Sequence, residues 1–514
     1  MNFDPRIGEA FARLPDYLGN HVLVSATALG LGLLISLPLA IAATRRPGLR
    51  WPLLAFASLI QTIPSLALLA LFYPLLLGLS ALTERTFGAG FSALGFLPAV
   101  VALTLYSMLP VLRNTVTGIV GLDPAIKEAA LGVGMTPRQT LFMVELPLAL
   151  PVIMAGIRTA AVWVIGTATL STPIGQTSLG NYIFTGLQTQ NWVFVLFGCV
   201  AAAAFALAVD QFLALIERGA GERKRAPIAL GVAGLAIILA ASLAPVLGRP
   251  AATYIVGAKT FTEQYVLAAL IRDRLASADL TASRRDGLGS AVIFNALLAG
   301  DIDVYVEYSG TLWTNQMGRR DVRPRGEVLA ELDTWLRQRK LRMLGGLGFE
   351  NAYALAMPRA KAAALGVRSI ADLAAHAPQL SIAGDYEFFA RPEWAALRDA
   401  YGLRFRAERQ MQPDFMYQAA AAGDVDVVSA YTSEGLVAKY DLVILDDPKR
   451  AIPPYDAILL LAPKRAGDEK LAATLMPLVN AIDVEKMRAA NLRATTSSPE
   501  EVARWLWEQV RPGR

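Results

Sequence analysis

Residues 128–147 read EAALGVGMTPRQTLFMVELP and separate two long apolar runs of the chain. The segment places Glu128, Arg138 and Glu145 among small and apolar residues. Its charges set it apart from the uncharged runs on either side, and its pattern is that of short helices rather than of a plainly solvated loop. We therefore expect a structured connection between the two runs.

Helix start and stop signals occur throughout this connection. Asp123 can cap a helix whose first position is Pro124, and Gly132 and Gly134 can then end that helix. Thr136 can cap a second helix, again with a proline in the first position. The sequence therefore predicts two short helices joined by a glycine turn. On pattern alone, an amphipathic loop resting on lipid headgroups remains the alternative.

The composition divides the chain into two parts of different class. Of 514 residues, 54% are hydrophobic and 18% are charged, whereas a soluble domain carries about 25% charged residues. Long uncharged runs dominate up to residue 247, and charged residues recur at regular intervals after residue 252. We therefore expect a membrane part followed by a globular part.

Charge and cysteine usage argue against several kinds of site. The net charge is +5, but much of the basic excess flanks predicted spans, so no nucleic-acid partner is expected. Cys199 is the single cysteine, which excludes an intrachain disulfide and favours a packing role. His21 and His376 are far apart, and metal-ligand spacings do not occur. We expect neither a metal nor a cofactor.

Six stretches are apolar enough to cross a bilayer, which takes about 20 residues of helix. They are residues 21–43, 52–79, 92–112, 148–171, 192–216 and 227–247. Pro64 and Pro74 fall in the second stretch and predict a kink or break there. Arg158 and Asp210 fall inside the fourth and fifth, where charges are expected to face the bundle interior or a wet path.

Basic residues indicate the orientation of the spans. The loops after the first, third and fifth spans contain them: Arg45, Arg46, Arg50; Arg113, Lys127, Arg138; Arg218, Arg223, Lys224, Arg225. Residues 172–191 carry no charge, and residues 80–91 carry one of each sign. The basic loops are therefore predicted to face the cytoplasm. The globular part is then exported and tethered.

From Thr253 onward, strand patterns alternate with helix patterns. Strands are predicted at 253–258, 301–308, 380–384, 425–431 and 441–447, with helices at 262–275 and 290–300. This alternation predicts an α/β domain with mainly parallel sheets. The length of this part suits two lobes, and ligands bind where the carboxyl ends of strands face each other across a cleft.

Polar and aromatic residues gather at the predicted strand ends. They are Lys259, Tyr308, Thr311, Asn351, Tyr353, Arg391, Tyr431 and Tyr455. Four of them are tyrosines at strand-to-loop junctions. An electron-rich aromatic box can hold a quaternary ammonium, which has no N–H to donate. Tyrosines that merely pack, with their hydroxyls bonded, are the alternative.

The segment quoted first resembles the EAA motif of ABC importer permeases, in which Glu-Ala-Ala is followed by a glycine and later by an aliphatic residue and Leu-Pro. The matching positions are Glu128, Ala129, Ala130, Gly134, Val144, Leu146 and Pro147. The resemblance covers most of residues 20–220, and it implies that this segment docks onto a cytoplasmic ATPase. The sequence contains no P-loop motif, so that ATPase is expected to be a separate subunit.

Residues 253–510 resemble the binding proteins of glycine betaine, carnitine and choline importers, most closely in VGAKTFTEQYVL and DVYVEYSGT. In that family four tyrosines cage the trimethylammonium group. The matching positions are Tyr308, Tyr353, Tyr431 and Tyr455.

The same resemblance implies a carboxylate clamp. Residues that match Lys259, Thr311 and Arg391 hold the carboxylate in some members of the family. Asn351 stands where some members have an acidic residue. Phe388 and Phe389, close to Arg391 in sequence, can widen or replace part of the cage.

The resemblances imply a membrane all-α permease with six transmembrane helices, of ABC importer type, followed by an α/β two-lobed periplasmic-binding-protein domain of type II. The expected divisions are 1–20, an extracytoplasmic segment; 21–220, the permease domain with its coupling loop 123–147; 221–252, the sixth helix and linker; and 253–514, the binding domain. Its lobes are expected at 253–352 with 455–514, and at 353–454.

The function expected from these resemblances is ATP-driven import of a quaternary ammonium osmoprotectant such as glycine betaine, choline or carnitine, across the plasma membrane. Fusion of the two domains also resembles ergothioneine importers, so a larger betaine is the alternative. Two copies of the chain are expected to pair, because each supplies only six spans. A ligand-sensing receptor would need a cytoplasmic output module, and only short loops are predicted on that side. A periplasmic enzyme would need a nucleophile or metal motif, and neither occurs.

Overall fold

The computed structural model describes residues 5–88, 90–188, 191–247, 253–319, 321–385 and 388–511. It contains two compact units, one formed by Met1–Phe184 and Val193–Pro250 and the other by Thr185–Trp192 and Ala251–Arg514. The first unit is helical, and the second contains two β-sheets.

The helices up to residue 247 follow one another with short connections. They are α1 Pro5–Arg45, α2 Pro47–Thr62, α3 Ser65–Phe87, α4 Phe96–Val120, α5 Pro124–Gly132, α6 Pro137–Gln139, α7 Leu146–Ala168, α8 Gly180–Gln188, α9 Trp192–Gly221 and α10 Arg225–Leu247. A π-helical turn, Thr140–Glu145, joins α6 to α7, and a 3-10 turn, Thr169–Ile174, follows α7.

Six helical stretches in the described part of the chain are long and apolar enough to cross a membrane. They are Arg6–Arg45, Ser65–Phe87, Phe96–Val120, Pro137–Ile174, Trp192–Gly221 and Arg225–Ala244. The predicted number of spans is therefore confirmed. The N-terminal segment does not form a separate piece, because residues 5–20 are continuous with the first span in α1.

The second predicted stretch is interrupted, as its prolines predict. The break expected within 52–79 is confirmed at Pro64, because α2 ends at Thr62 and α3 begins at Ser65. Ile63 and Pro64 between them have extended backbone. Proline lacks the N–H that a continuing helix needs and disfavours helical backbone in the residue before it. Pro74, by contrast, lies inside α3.

The connection between α4 and α7 contains the predicted caps. The Asp123 carboxylate accepts a hydrogen bond from the Ala125 N–H at 2.9 Å, and Gly134 adopts a left-handed φ of 83°. Thr136 and Gln139 form a reciprocal capping box. The fourth span, predicted to begin at 148, begins earlier, because the second short helix runs through the π-helical turn into α7 without a break.

The π-helical turn places a carboxylate inside this unit. Glu145, its last residue, is only 1% exposed. Its Oε1 accepts a hydrogen bond from Arg45 Nη1 at 3.1 Å, and its Oε2 pairs with Nη2 of the same guanidinium. Lys127 Nζ lies 3.9 Å from Oε1. Glu145 therefore fastens α5 and the start of α7 to the end of α1.

Charged residues within the spans also satisfy one another. Arg158 of α7 forms two hydrogen bonds of 2.9 Å to Asp210 of α9 and one of 2.8 Å to Glu217. Such pairing lowers the cost of charge at membrane depth.

Replacement of the buried carboxylate tests the anchoring role of Glu145. We expect Glu145→Gln to lower the free energy of unfolding by about 2 kcal/mol, since charged hydrogen bonds to Arg45 become neutral ones. Chemical denaturation of the solubilised chain measures this loss. Glu222→Gln, which breaks an exposed pair with Lys224, is the matched control and is expected to have little effect. Equal losses in the two variants would contradict the prediction.

The second unit alternates strands and helices. The strands are β1 Tyr254–Lys259, β2 Ala282–Leu288, β3 Val304–Tyr308, β4 Arg342–Glu350, β5 Tyr353–Pro358, β6 Ser381–Gly384, β7 Ala407–Gln410, β8 Val427–Tyr431, β9 Leu442–Ile444 and β10 Asp456–Leu461. The helices are α11 Thr262–Ala276, α12 Ser290–Ala299, α13 Ser309–Thr311, α14 Arg325–Gln338, α15 Arg359–Leu365, α16 Ile370–His376, α17 Pro392–Tyr401, α18 Pro413–Ala422, α19 Leu436–Lys439, α20 Glu469–Leu475, α21 Val484–Arg493 and α22 Pro499–Val510.

The strands form two five-stranded sheets with the orders β2-β1-β3-β10-β4 and β7-β6-β8-β5-β9. The chain passes between the sheets twice, from β4 to β5 and from β9 to β10. The expectation of mainly parallel sheets is confirmed only in part. The pairings of β1 with β2 and β3, and of β6 with β7 and β8, are parallel, but β10 is antiparallel to β3 and β4, and β5 is antiparallel to β8 and β9. A strand that enters a sheet at a crossing starts where its neighbours end, so it runs opposite to them. The predicted fold class, a helical membrane domain followed by a two-lobed α/β domain, is confirmed.

Candidate ligand-binding site and coupling segment

The two crossings bring three of the predicted tyrosines together. Tyr353, the first residue of β5, pairs across the sheet with Tyr431, the last residue of β8. Directly opposed residues share a face of the sheet, and these two ring centroids are 4.9 Å apart. Tyr455 immediately precedes β10, and its ring meets Tyr353 edge-on at 5.8 Å.

A phenylalanine completes this group. The Phe388 ring lies 5.6 Å from the Tyr353 ring and is fully buried. Tyr353, Tyr431, Tyr455 and Phe388 are called the aromatic box below. Phe389 and Trp394 pack behind Phe388 at 5.4 and 5.3 Å. The sequence analysis missed Trp394, although an aromatic residue one turn beyond Arg391 was a usable signal.

Tyr308, the fourth predicted cage tyrosine, has different neighbours. Its hydroxyl donates to Glu263 Oε1 at 2.5 Å and accepts from Gln264 Nε2 at 3.1 Å. Its ring stacks on Phe261 at 6.0 Å. Among the described residues, its ring contacts do not include the aromatic box.

The tyrosines of the site are neutral phenols near physiological pH. Burial raises the pKa of Tyr308, Tyr431 and Tyr455 well above the ordinary value. The Tyr431 hydroxyl donates to Asp385 at 3.0 Å, and the Tyr455 hydroxyl donates to Glu393. Carboxylate acceptors therefore fix both rings, and their faces remain electron-rich.

The two predicted cations have different surroundings. Lys259 is buried, and its Nζ pairs with Glu307. The Glu307 carboxylate also accepts from the Tyr305 hydroxyl and the Tyr308 N–H, each at 2.7 Å. The charge of Lys259 is therefore already balanced by a buried carboxylate in this structure.

Arg391 lies against the aromatic box. Its Cζ is 5.4 Å from the centroid of the Tyr353 ring. Its charge also acts on the hydroxyls of Tyr431 and Tyr455, where it opposes the rise in their pKa that burial causes. Of the two predicted cations, Arg391 is therefore the one that lies against the aromatic box.

Asn351 and Thr311 lie on the side of Tyr308. Asn351 Nδ2 donates to Glu263 at 3.1 Å, and its buried Oδ1 has no hydrogen-bond partner among the described residues. Thr311 is buried in α13, directly after β3.

A buried carboxylate that the sequence analysis missed connects these elements. Glu263, near the start of α11, accepts hydrogen bonds from four side chains: Tyr308 at 2.5 Å, Ser433 at 2.6 Å, Asn491 at 2.9 Å and Asn351 at 3.1 Å. Burial raises the pKa of Glu263. Its donors come from both sides of the crossings, so Glu263 links the lobes of the second unit.

A cavity of about 450 Å³ lies beside Arg391 and Glu393, and the four box residues are not among its lining residues. Its lining includes Arg391, Glu393 and Phe389 from the second lobe and Trp313 and Thr314 from the first. Glu393 connects the cavity with the box through its hydrogen bond from Tyr455. The lining combines charged and aromatic groups, as expected for a site that orients a small polar ligand.

The segment between α4 and α7 presents an apolar surface. Glu128, Ala129, Gly134 and Pro147 are exposed, whereas Ala130 is buried. Large apolar side chains beside them are also exposed: Leu131, Val133, Phe142 and Met143, all at 60–74%. Exposed apolar groups of this size, clustered in one segment, are typical of a protein interface.

The helical unit and the two-lobed unit together define the class of this protein, a membrane component of a binding-protein-dependent importer joined to its substrate-binding domain. The family described as the binding-protein-dependent transport system inner membrane component matches residues 32–221. The chain belongs to the family described as the substrate binding domain of the ABC-type glycine betaine transport system, which matches residues 252–509, half of its length. Membership implies the inner membrane, an ATPase partner and a small-molecule ligand.

Curated relatives and a solved structure are similar to parts of this chain. The chain is 28% identical over 417 residues to the ergothioneine transport permease/ergothioneine binding protein EgtU of Helicobacter pylori strain G27, covering 78% of this chain and 72% of the relative. It is 41% identical over 200 residues to the glycine betaine/carnitine/choline transport system permease protein OpuCB of Bacillus subtilis strain 168, covering 39% of this chain and 85% of the relative. A crystal structure of a glycine betaine/carnitine/choline ABC transporter is 24% identical, with a TM-score of 0.46, and covers 50% of this chain and 98% of that chain.

A second acid close to Glu263 titrates near neutrality. Burial raises the pKa of Glu434 to about 7, with the Glu263 charge as a further cause. Its Oε1 accepts from the Leu436 N–H at 3.0 Å. The folded domain therefore favours the protonated form of Glu434.

This shift predicts a pH dependence of stability. A folded-state pKa of about 7, above the ordinary value of about 4.3, gives stability that is fully present below the ordinary value and lost as pH rises through 7. The Glu434→Gln variant has no carboxyl group at this position to deprotonate, so it does not lose this stability as pH rises. We expect the variant to melt at the same temperature as the natural chain at pH 4.5 and at a higher temperature at pH 8, in thermal scans of the solubilised chain. A difference that does not change with pH would contradict the shift.

Proposed function

We propose that this chain is the transmembrane and substrate-binding subunit of an ABC importer for a quaternary ammonium compound. The observation that carries the substrate class is the aromatic box of Tyr353, Tyr431, Tyr455 and Phe388. Candidate substrates are glycine betaine, choline and carnitine. Ergothioneine or another larger betaine is the second candidate, since the Helicobacter relative named for ergothioneine is similar along most of this chain.

The proposed roles divide the site between the two lobes. Tyr353, Tyr431 and Tyr455 hold the trimethylammonium group, and Arg391 anchors a carboxylate where the ligand has one. Lys259, Tyr308, Thr311 and Asn351 lie at strand ends of the first sheet or at the crossing beside it, and they face the ligand from the other side.

The proposed contacts are strong enough for a transport site. A desolvated cation–π contact contributes about 0.5–2 kcal/mol, and a hydrogen bond to a charged group contributes about 1.5–3 kcal/mol. A micromolar site requires about 8 kcal/mol after the cost of association. Three aromatic faces alone contribute less than this free energy, so the site also needs a polar anchor.

The proposed mechanism requires partners. A separate cytoplasmic ATPase binds the exposed segment around Glu128, whose apolar neighbours suit a protein groove. Two copies of this chain pair to enclose the translocation path, because one copy supplies six spans and one coupling segment. The binding domain faces the extracytoplasmic side, since the basic loops predict its export.

Substitution of one box residue tests the substrate class. We expect Tyr431→Ala to weaken binding of the best trimethylammonium ligand by about twofold to thirtyfold, because one cation–π face is lost. Tyr431→Phe keeps the ring and is expected to lose less. Isothermal titration of the full chain in nanodiscs with glycine betaine, choline, carnitine and ergothioneine measures both. Tyr440→Ala, a tyrosine of the same lobe outside the box, is the control. Equal losses in Tyr431→Ala and Tyr440→Ala would rule out the box.

A pair of glycines tests the coupling segment. A Cβ on either Gly134 or Gly132 would meet no atom within 4 Å, but only Gly134 has a left-handed φ. Alanine at that φ costs about 1–2 kcal/mol. We expect Gly134→Ala and Glu128→Ala to abolish ligand-stimulated ATP hydrolysis in proteoliposomes containing the ATPase subunit, with ligand affinity unchanged. Gly132→Ala is expected to remain coupled. Lost ligand binding in the first two variants would refute this role.

A further inference from the structure

A buried carboxylate at the edge of the aromatic box is incompletely satisfied. Glu393, in the first turn of α17, is 1% exposed. Its Oε1 accepts from the Thr314 hydroxyl at 2.9 Å and from the Tyr455 hydroxyl. Its Oε2 is buried and has no hydrogen-bond partner in the described part of the chain. A buried carboxylate oxygen without a hydrogen-bond donor destabilises the fold. This arrangement therefore suits a donor that comes from outside the chain.

The position of Glu393 suits contact with a ligand. It lines the cavity of about 450 Å³ together with Arg391. Through Tyr455 it is one hydrogen bond away from the box. A ligand whose trimethylammonium group contacts the Tyr455 ring is therefore close to this carboxylate.

The surrounding charges favour a donor over an anion at Glu393. Lys259 is balanced by Glu307, whereas Asp385 and Glu393 each bond a tyrosine of the box. Against these two carboxylates stands Arg391, whose Cζ is 5.4 Å from the Tyr353 centroid. A ligand that offers Glu393 only its own carboxylate, and no hydrogen-bond donor, would be repelled there.

We propose that Glu393 is the second anchor of the site and selects quaternary ammonium compounds that also carry an O–H or N–H donor. This inference rests on the proposed function. Choline and carnitine offer a hydroxyl, and ergothioneine offers a ring N–H. Glycine betaine has a trimethylammonium group and a carboxylate but no donor, so it leaves Oε2 unsatisfied. Sites built to bond a donor reject analogues that lack it.

The discriminating variant is Glu393→Gln. The amide oxygen can still accept from Thr314 and Tyr455, which turns the amide NH₂ toward the position of Oε2. An acceptor is thereby replaced by a donor. We expect choline, carnitine and ergothioneine to lose affinity, the best binder among them by at least about tenfold, while glycine betaine binds equally or more tightly. A loss of packing alone would weaken all ligands together.

The test is isothermal titration of the full chain in nanodiscs with choline, carnitine, ergothioneine and glycine betaine. The control is Asp441→Asn, which removes the same charge from an exposed carboxylate of the same lobe that pairs with Arg359 outside the cavity; it is expected to change nothing. Two results together support the proposal. A donor-bearing ligand binds the natural chain more tightly than glycine betaine does, and Glu393→Gln removes or reverses that preference. Glycine betaine binding as tightly as the others, or uniform losses in the variant, overturns it and leaves the proposed function intact. No binding of any of the four overturns both.

Discussion

The two-lobed domain depends on one buried carboxylate. Glu263 accepts four hydrogen bonds, from Tyr308 and Asn491 on the side of the first sheet, from Asn351 at the first crossing and from Ser433 after β8. A buried carboxylate without partners would cost several kcal/mol, so its four donors specify where these segments meet. The interaction fixes the end of β3 and the start of the crossing together. It thereby sets the frame in which the aromatic residues of the other sheet are placed.

The aromatic box follows from strand direction. Because β5 begins at a crossing, its first residue lies opposite the last residue of β8, and both positions are tyrosines. Tyr455 comes from the second crossing, immediately before β10. The two crossings thus bring together three rings from three separate parts of the sequence. A ligand bound as proposed would touch segments at both crossings, which are the places where the chain passes between the lobes.

Local signals in the sequence predicted local structure well. The caps at Asp123 and Thr136 and the left-handed turn at Gly134 depend on neighbouring residues only, and hydropathy alone gave the number of spans. The errors concern interactions between distant segments. The mixed sheets arise from crossings that no periodicity reveals, and the π-helical turn that buries Glu145 has no sequence signature. Tyr308 was grouped with the other tyrosines, but contact with Glu263 holds its hydroxyl elsewhere. Glu263 and Glu393 were missed because each looks like an ordinary acid in the first turn of a helix; only their burial distinguishes them.

Fusion of both domains in one chain changes what the binding domain must achieve. A free binding protein has to find its permease by diffusion, whereas a tethered one meets it at an effective concentration in the millimolar range. The binding domain can therefore bind the permease domain weakly. The presence of a ligand must then be signalled by the lobes themselves. A polar anchor deep between the lobes serves this purpose better than aromatic contacts, because cation–π attraction accepts any trimethylammonium group, whereas a buried acceptor is satisfied only by the right donor. On this argument the proposed role of Glu393 is both to hold the substrate and to decide which trimethylammonium ligands the domain accepts.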